Sequence, residues 1–115
     1  MMHSEFDYVV VGGGSAGCCV AGRLSEDQNT AVCLLEAGGP DNSVFVRAPL
    51  GFAATASLNI NSWGYNTVPQ AGFNGRKGFQ PRGKVMGGSS SINAMVYTRG
   101  NARDYDNWAA LGNPG

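Results

Sequence analysis

Hydrophobic and polar residues form three short blocks over the first third of the chain. Residues 8–11, a tyrosine followed by valines, stop at three consecutive glycines, which predicts a buried strand ending in a tight turn. Residues 15–25 place small and apolar side chains at the i, i+3, i+4, i+7 spacing of one helix face. Residues 31–36 form a second short apolar run, typical of a fully buried parallel strand. Together the three blocks predict a β-α-β unit.

After residue 36 the pattern becomes rich in glycine, asparagine and serine, without a long amphipathic period. This composition predicts short strands and functional loops. Residues 62–70 and 77–83 are two extended pieces, and they predict a hairpin with its turn at Asn74 and Gly75.

Two helices are predicted near the end of the sequence. Residues 89–97 open with three serines, one of which is placed to cap a helix ahead of Ile92. Residues 101–112 predict a second short helix that Gly112 ends.

Composition limits the classes of protein to which the chain can belong. Glycine makes up 18 of the 115 residues, but no collagen period runs through them, and 43% of the residues are hydrophobic, which favours a globular chain. Lys plus Arg and Asp plus Glu number eight each, in no long run of one sign. Neither a nucleic-acid footprint nor a polybasic membrane patch is therefore expected. By length the chain forms one domain at most.

Cysteine and histidine give no sign of a metal site. Cys18, Cys19 and Cys33 are an odd set without metal-ligand spacing, and His3 lies in a polar leader, so neither zinc nor a disulfide framework is expected. We interpret the cysteines as small packing residues, Cys33 within the core. The sequence contains no signal-peptide pattern and no apolar run long enough to span a membrane. We therefore expect a cytoplasmic protein, with peripheral membrane association left open.

The first candidate site is a nucleotide cradle. Gly12, Gly14 and Gly17 fit the GxGxxG pattern between a predicted strand and a predicted helix, where they would permit a tight turn, close approach of a pyrophosphate and helix-strand packing. Glu36 follows Gly17 by about 20 residues, at the position of an acid that binds ribose hydroxyls. Its carboxylate would repel a 2′-phosphate, which favours FAD or NAD over NADP. The alternative is a glycine-rich turn without a ligand.

The second candidate site is the glycine- and serine-rich stretch at residues 83–100. It predicts a glycine-hinged loop that runs into a helix start, where free amides and hydroxyls can meet an anionic or carbonyl-rich ligand. This loop would hold a second part of the same cofactor. The alternative is a serine-capped helix after a flexible loop.

These motifs together resemble one known family. The glycine fingerprint ending in LLEAG is followed in order by SWGYNTVPQ, RGKVMGGSSSINAMVYTRG and RGNARDYDNWAALGNPG. From Phe6 to Gly115 the chain is similar to the glucose-methanol-choline (GMC) family of FAD-dependent oxidoreductases, most of all to bacterial choline and alcohol dehydrogenases. Met86 departs from the Leu, Ile or Val usual in the family signature, a swap of similar volume.

The resemblance implies a set of cofactor-binding positions along these motifs. They are Gly12, Gly14, Ser15, Ala16, Glu36, Ala37, Trp63, Val85, Gly88, Ser89, Asn93, Ala94, Met95 and Val96. The first four would lie along the FAD pyrophosphate, Glu36 would hold the adenosine ribose, and Ala37 would flank the adenine. Trp63 would lie near the cofactor, with a core aromatic as the alternative.

The remaining positions belong to the flavin end. By the resemblance, Val85, Gly88 and Ser89 would run beside it, and the backbone of residues 93–96 would pass against the isoalloxazine ring. Some family members attach FAD through a histidine immediately before the asparagine. This sequence has Ile92 at that position, so we expect non-covalent FAD.

The activity that the resemblance implies is oxidation of an alcohol CH-OH group by hydride transfer to flavin N5. The proton-accepting histidine and its partner come from the C-terminal part of family members, and His3 is not a candidate, so no catalytic residue is assigned in this chain. An alcohol substrate and an electron acceptor would be partners of the full protein.

The fold class is therefore α/β. We expect the N-terminal βαβ of a Rossmann-like FAD-binding domain plus cofactor-covering loops, incomplete as a fold on its own. Residues 1–115 would be the N-terminal part of that domain, within a longer polypeptide that supplies the rest of it and the substrate domain. Two alternatives stay open: a NAD-linked Rossmann dehydrogenase and a non-catalytic nucleotide-binding fragment.

Overall fold

A parallel β-α-β unit opens the fold, as the sequence predicts. The computed structural model of the protein describes residues 5–113. Strand β1 covers Tyr8–Val11, helix α1 Ser15–Leu24 and strand β2 Val32–Leu35. The strands pair in parallel, with Tyr8 opposite Val32 and Val11 opposite Leu35. A crossover helix between two parallel strands confirms the start of an α/β fold.

The two strands are more exposed than predicted. The side chains of Val9, Val11 and Leu35 are 55%, 82% and 50% exposed, so the prediction of fully buried strands is wrong. The reason is that α1 packs against one face of this two-stranded sheet, where Val10 approaches Gly17. The other face has no covering element among the described residues.

Cysteines also depart from the prediction. Cys18 and Cys19 on α1 are both exposed, so their interpretation as packing residues is wrong. The Cys18 thiol instead donates a hydrogen bond to the Gly13 carbonyl at 3.1 Å. Cys33 on β2 is half-buried rather than fully in a core. His3 lies outside the described residues.

Two short helices follow β2 that the sequence analysis did not predict. Helix α2 covers Val44–Arg47 and helix α3 covers Gly51–Ser57. The Ser43 hydroxyl caps α2 by accepting a hydrogen bond from the Phe45 amide at 3.3 Å. With four and seven residues, these helices are too short to establish an amphipathic period.

The predicted hairpin is present. Strands β3 (Tyr65–Asn66) and β4 (Phe79–Gln80) pair antiparallel, and a 3₁₀ turn at Ala71–Phe73 leads into the reversal. Asn74 and Gly75 both have positive φ, +52° and +75°. Asparagine and glycine adopt this left-handed conformation at the lowest cost, which confirms the predicted turn.

The helix predicted for residues 89–97 does not form. A 3₁₀ turn, Gly88–Ser91, takes its place, and the following residues up to Gly100 have no regular structure. The Asn93 side chain accepts a hydrogen bond from the Met95 amide at 2.6 Å, and Met95 has a φ of +56°. A side chain that bonds the backbone two residues ahead competes with helix formation.

The second predicted helix is confirmed. Helix α4 covers Ala102–Ala110, and the Asn101 side chain caps it by accepting from the Arg103 amide at 3.1 Å. Gly112, with a φ of +93°, follows the helix end.

Candidate cofactor site

A cleft of about 900 Å³ opens at the carboxyl ends of β1 and β2. This is the edge at which ligands bind in open α/β sheets. Nine of the predicted cofactor residues line it. They are Gly12, Gly14, Ser15, Ala16, Glu36, Ala37, Trp63, Gly88 and Ser89.

The first wall is the turn between β1 and α1. Gly12 has a φ of +99°, a conformation that favours glycine, and its amide donates to the Leu35 carbonyl at 2.7 Å. A Cβ on Gly17 would overlap the Gly12 carbonyl oxygen, so α1 lies directly on the turn. The turn therefore needs glycine at both positions.

The start of α1 faces the cleft with its backbone amides. Gly14 is the N-cap, and within residues 5–113 no side chain caps this helix end. Ser15, Ala16 and Gly17, the first three residues of the helix, all line the cleft. Uncapped amides and the positive end of the helix dipole make this wall suited to an anion such as a pyrophosphate.

Glu36 joins the two turns at the base of the cleft. One carboxylate oxygen accepts a hydrogen bond from the Gly13 amide at 2.7 Å, and the other accepts from the Gly38 amide at 2.8 Å. The side chain is half-buried, and it also lines the cleft. Glu36 thus lies where the sequence places a ribose-binding acid, and it already has two backbone partners.

Residues 83–88 lie between the turn that follows β1 and the turn that follows β2, and their backbone contacts both turns. The Gly87 amide donates to the Gly13 carbonyl at 2.7 Å, and the Met86 amide donates to the Gly39 carbonyl at 2.8 Å. Bridges of parallel type join Gly87 to Gly14 and Val85 to Gly39. The second glycine motif is therefore packed against the first, as one site requires.

Val85 is not among the residues that line the cleft. Its relative exposure is 0%, and it is the one buried hydrophobic residue of the described chain. The predicted position of Val85 beside the flavin stays a prediction.

Trp63 and Arg82 also line the cleft. The Trp63 amide donates to the Arg82 carbonyl at 2.8 Å, and the Lys84 ammonium lies 4.6 Å from the centroid of the Trp63 ring. At 44% exposure, Trp63 is a wall of the cleft and not a core aromatic. A cation at this position is attracted to the face of the indole ring.

Residues 93–96 lie away from the cleft. Asn93 and Met95 instead line a second cavity of about 220 Å³, together with α2 residues that include Phe45 and Arg47. Ala94 and Val96 are exposed. The predicted contact of this segment with a flavin ring stays a prediction.

Some cleft residues were not assigned to the site from the sequence. Val11 and Leu35, at the strand ends, line it, as do Arg82 and Gly83. A signal for Arg82 was present, since it immediately precedes the second glycine motif. Within the described part of the chain, Arg82 is the one cationic side chain among the lining residues.

A family model described as GMC oxidoreductase matches residues 6–115. The chain belongs to this family. GMC oxidoreductases are FAD-binding flavoproteins, and the expectation drawn from the sequence motifs is confirmed.

Curated relatives cover almost the whole chain. An alcohol dehydrogenase [acceptor] from Pseudomonas putida is 50% identical over 107 residues, which is 93% of this chain and 19% of the relative. An oxygen-dependent choline dehydrogenase from Vibrio vulnificus is 47% identical over 114 residues, 99% of this chain and 20% of the relative. The chain thus spans about a fifth of the length of these relatives.

Solved structures of two oxidases have the same fold over the part that this chain covers. Pyridoxine 4-oxidase from Mesorbium loti superposes with a TM-score of 0.75 at 40% identity, over 92% of this chain and 21% of that one. A formate oxidase from Aspergillus oryzae, studied for its FAD modification, superposes with a TM-score of 0.74 at 33% identity, over 98% and 20%. These neighbours confirm an incomplete Rossmann-like α/β domain.

Nowhere in residues 5–113 is there a helix with both the length and the apolar character that crossing a membrane requires. The cytoplasmic location stays a prediction.

Proposed function

We propose that this chain forms the FAD-binding portion of an oxidoreductase that oxidises an alcohol CH-OH group by hydride transfer to flavin N5. The observation that carries the proposal is the convergence of both glycine motifs and Glu36 on one cleft. A second candidate, a NAD-linked dehydrogenase, accounts for the β-α-β unit but not for the second glycine motif packed against it.

The residues of the cleft fit a dinucleotide. Uncapped amides at the start of α1 suit the pyrophosphate, and a Cβ on Gly14 would approach nothing nearer than Gly88 Cα at 4.0 Å, so the turn leaves open space. Gly12, Gly14, Ser15 and Ala16 would bind the pyrophosphate. Because its oxygens keep further lone pairs, Glu36 is also able to accept from ribose hydroxyls.

The remaining residues of the cleft would hold the adenine and flavin parts of the cofactor. We assign Ala37 to the adenine side, Trp63 to the cleft wall, and Gly88 and Ser89 to the flavin side. When bound, FAD supplies the hydride acceptor. The chain's own residues bind and orient it.

The substrate proton needs a base from elsewhere. The sequence contains one histidine, His3, which precedes β1. We propose that residues 1–115 are the N-terminal part of an FAD-binding domain in a longer polypeptide, which also contributes the base and the substrate pocket. The spans of the curated relatives support this organisation, since the chain matches about a fifth of each.

The first prediction concerns the cofactor itself. The purified intact polypeptide that contains this chain is expected to show flavin absorption bands in the visible. Because Ile92 replaces the attachment histidine of some relatives, acid denaturation should release the flavin into the supernatant. Adding an aliphatic alcohol or choline with a dye acceptor should bleach the dye. A colourless protein that binds NAD would contradict the proposal.

Arg82 allows a second prediction, about charge at the cleft. Its guanidinium is exposed on the wall of the cleft, so we expect it to attract the diphosphate of FAD from a distance rather than through a buried ion pair. Arg82→Gln should weaken FAD binding by up to about fivefold at low salt, the equivalent of about 1 kcal/mol or less. Titrating the apoprotein with FAD at several salt concentrations measures this effect.

Arg76→Gln is the matched control for that measurement. Arg76 lies by the hairpin turn, 4.4 Å over the Phe73 ring, and does not line the cleft. Its replacement should leave FAD affinity unchanged. An Arg82 effect that persists at 1 M salt, where the screening length falls to about 3 Å, would point to a contact other than charge attraction.

A further inference from the structure

Both oxygens of the Glu36 carboxylate are engaged by the protein itself. They accept hydrogen bonds from the Gly13 amide at 2.7 Å and the Gly38 amide at 2.8 Å. Gly13 belongs to the turn after β1 and Gly38 to the turn after β2. One side chain therefore joins the two turns between which the nucleotide would lie.

We propose that Glu36 is a positioning residue that holds these two turns in their binding shape before the cofactor arrives. This inference rests on the proposed function, since it deepens the role of the same cleft. A contact with ribose alone would leave the turns independent of Glu36. The bridging geometry instead makes the shape of the pyrophosphate turn depend on the carboxylate.

The surroundings of Gly13 support this role. Gly13 is buried, so its amide would be left without a partner if Glu36 were removed, and an unpaired buried amide is costly. Its carbonyl also accepts from the Gly87 amide at 2.7 Å and from the Cys18 thiol at 3.1 Å. Gly13 therefore links α1, the turn after β1 and residues 83–88. Its amide has the Glu36 carboxylate as its hydrogen-bond acceptor.

Replacing the Glu36 carboxylate with an amide distinguishes a role in holding the two turns from a role in binding ribose. A carboxylate only accepts hydrogen bonds, and both of its partners here are donors. In Glu36→Gln, the amide nitrogen would face one of these backbone amides, donor against donor. A ribose hydroxyl both donates and accepts, so it would tolerate glutamine.

The test compares FAD with an analogue whose adenosine ribose lacks both hydroxyls. In the intact polypeptide after flavin removal, Glu36→Gln should weaken binding of both ligands by about tenfold to a hundredfold, the range for a lost charged hydrogen bond. Glu26→Gln is the control, since Glu26 pairs with Arg23 on the surface, away from the cleft. If Glu36→Gln binds the dideoxy analogue as tightly as the wild type does, Glu36 acts through the ribose and the inference is wrong.

A second measurement needs no variant. Amide hydrogen exchange of the flavin-free wild type should show protection at Gly13 and Gly38, because both amides have the carboxylate as a partner without any cofactor. Rapid exchange at both positions would overturn the inference even if Glu36→Gln failed to fold. Failure of the wild type to bind FAD would instead refute the proposed function, and the exchange result would still stand.

Discussion

Replacing Gly17 with alanine is expected to destabilise the protein by about 1–3 kcal/mol and to abolish measurable FAD binding. The new Cβ would overlap the Gly12 carbonyl oxygen and lie 3.0 Å from the Gly12 carbonyl carbon. The turn cannot move away freely, because the Gly12 amide donates to the Leu35 carbonyl at 2.7 Å. Helix α1 would have to shift, and its amides would leave the wall of the cleft.

Gly22→Ala is the control, since it makes the same change in the same helix. A Cβ on Gly22 would meet nothing within 4 Å outside the helix's own backbone. Alanine is favoured over glycine within a helix by roughly 0.5–1 kcal/mol, so this variant should be slightly more stable and bind FAD normally. Urea unfolding of the flavin-free protein and FAD titration measure both effects. Equal losses in the two variants would mean that the contact between Gly17 and Gly12 does not matter.

The sequence predicted the β-α-β unit because its signals are local. The valine run, the glycine turn and the helix face of residues 15–25 each depend on neighbours only a few positions apart. The ends of α1 and of both strands lie within one residue of their predicted positions. Glu36 was found because its spacing from Gly17 is a property of the chain order.

Long-range contacts were beyond such signals. Nothing local reveals that residues 83–88 thread between two distant turns, or that Val85 becomes the buried hydrophobic residue there. The hydrogen bonds of the Glu36 carboxylate were also beyond local signals, because one of the donors is the Gly13 amide, 23 residues away in the sequence. In residues 89–97 the serines suggested a helix cap, but the Asn93 side chain instead bonds the Met95 amide.

The exposure of β1 and β2 also depends on long-range contacts that the local sequence does not reveal. The short apolar runs predicted that Val9, Val11 and Leu35 would be buried, because these residues are apolar and favour strands. Whether they are buried depends on what covers them, and among the described elements α1 covers one face only. The curated relatives that the chain matches are about five times longer than the chain itself.

Gly38→Ala is expected to separate the second glycine motif from the first. A Cβ on Gly38 would overlap the Lys84 carbonyl and the Val85 amide, both of them backbone groups that no side-chain rotation moves away. Residues 83–88 would be pushed out from between the two turns. We expect a loss of about 1–3 kcal/mol in unfolding free energy and at least about tenfold weaker FAD binding.

Gly39→Ala places the same methyl group one residue further along the same turn. A Cβ there would meet nothing within 4 Å, and the Gly39 carbonyl would still accept from the Met86 amide. This variant should unfold and bind FAD like the wild type. Because the two variants differ only in which side of the turn carries the methyl group, a loss confined to Gly38→Ala would attribute cofactor affinity to the packing of residues 83–88. Normal FAD binding by Gly38→Ala would mean that the cleft does not depend on that packing.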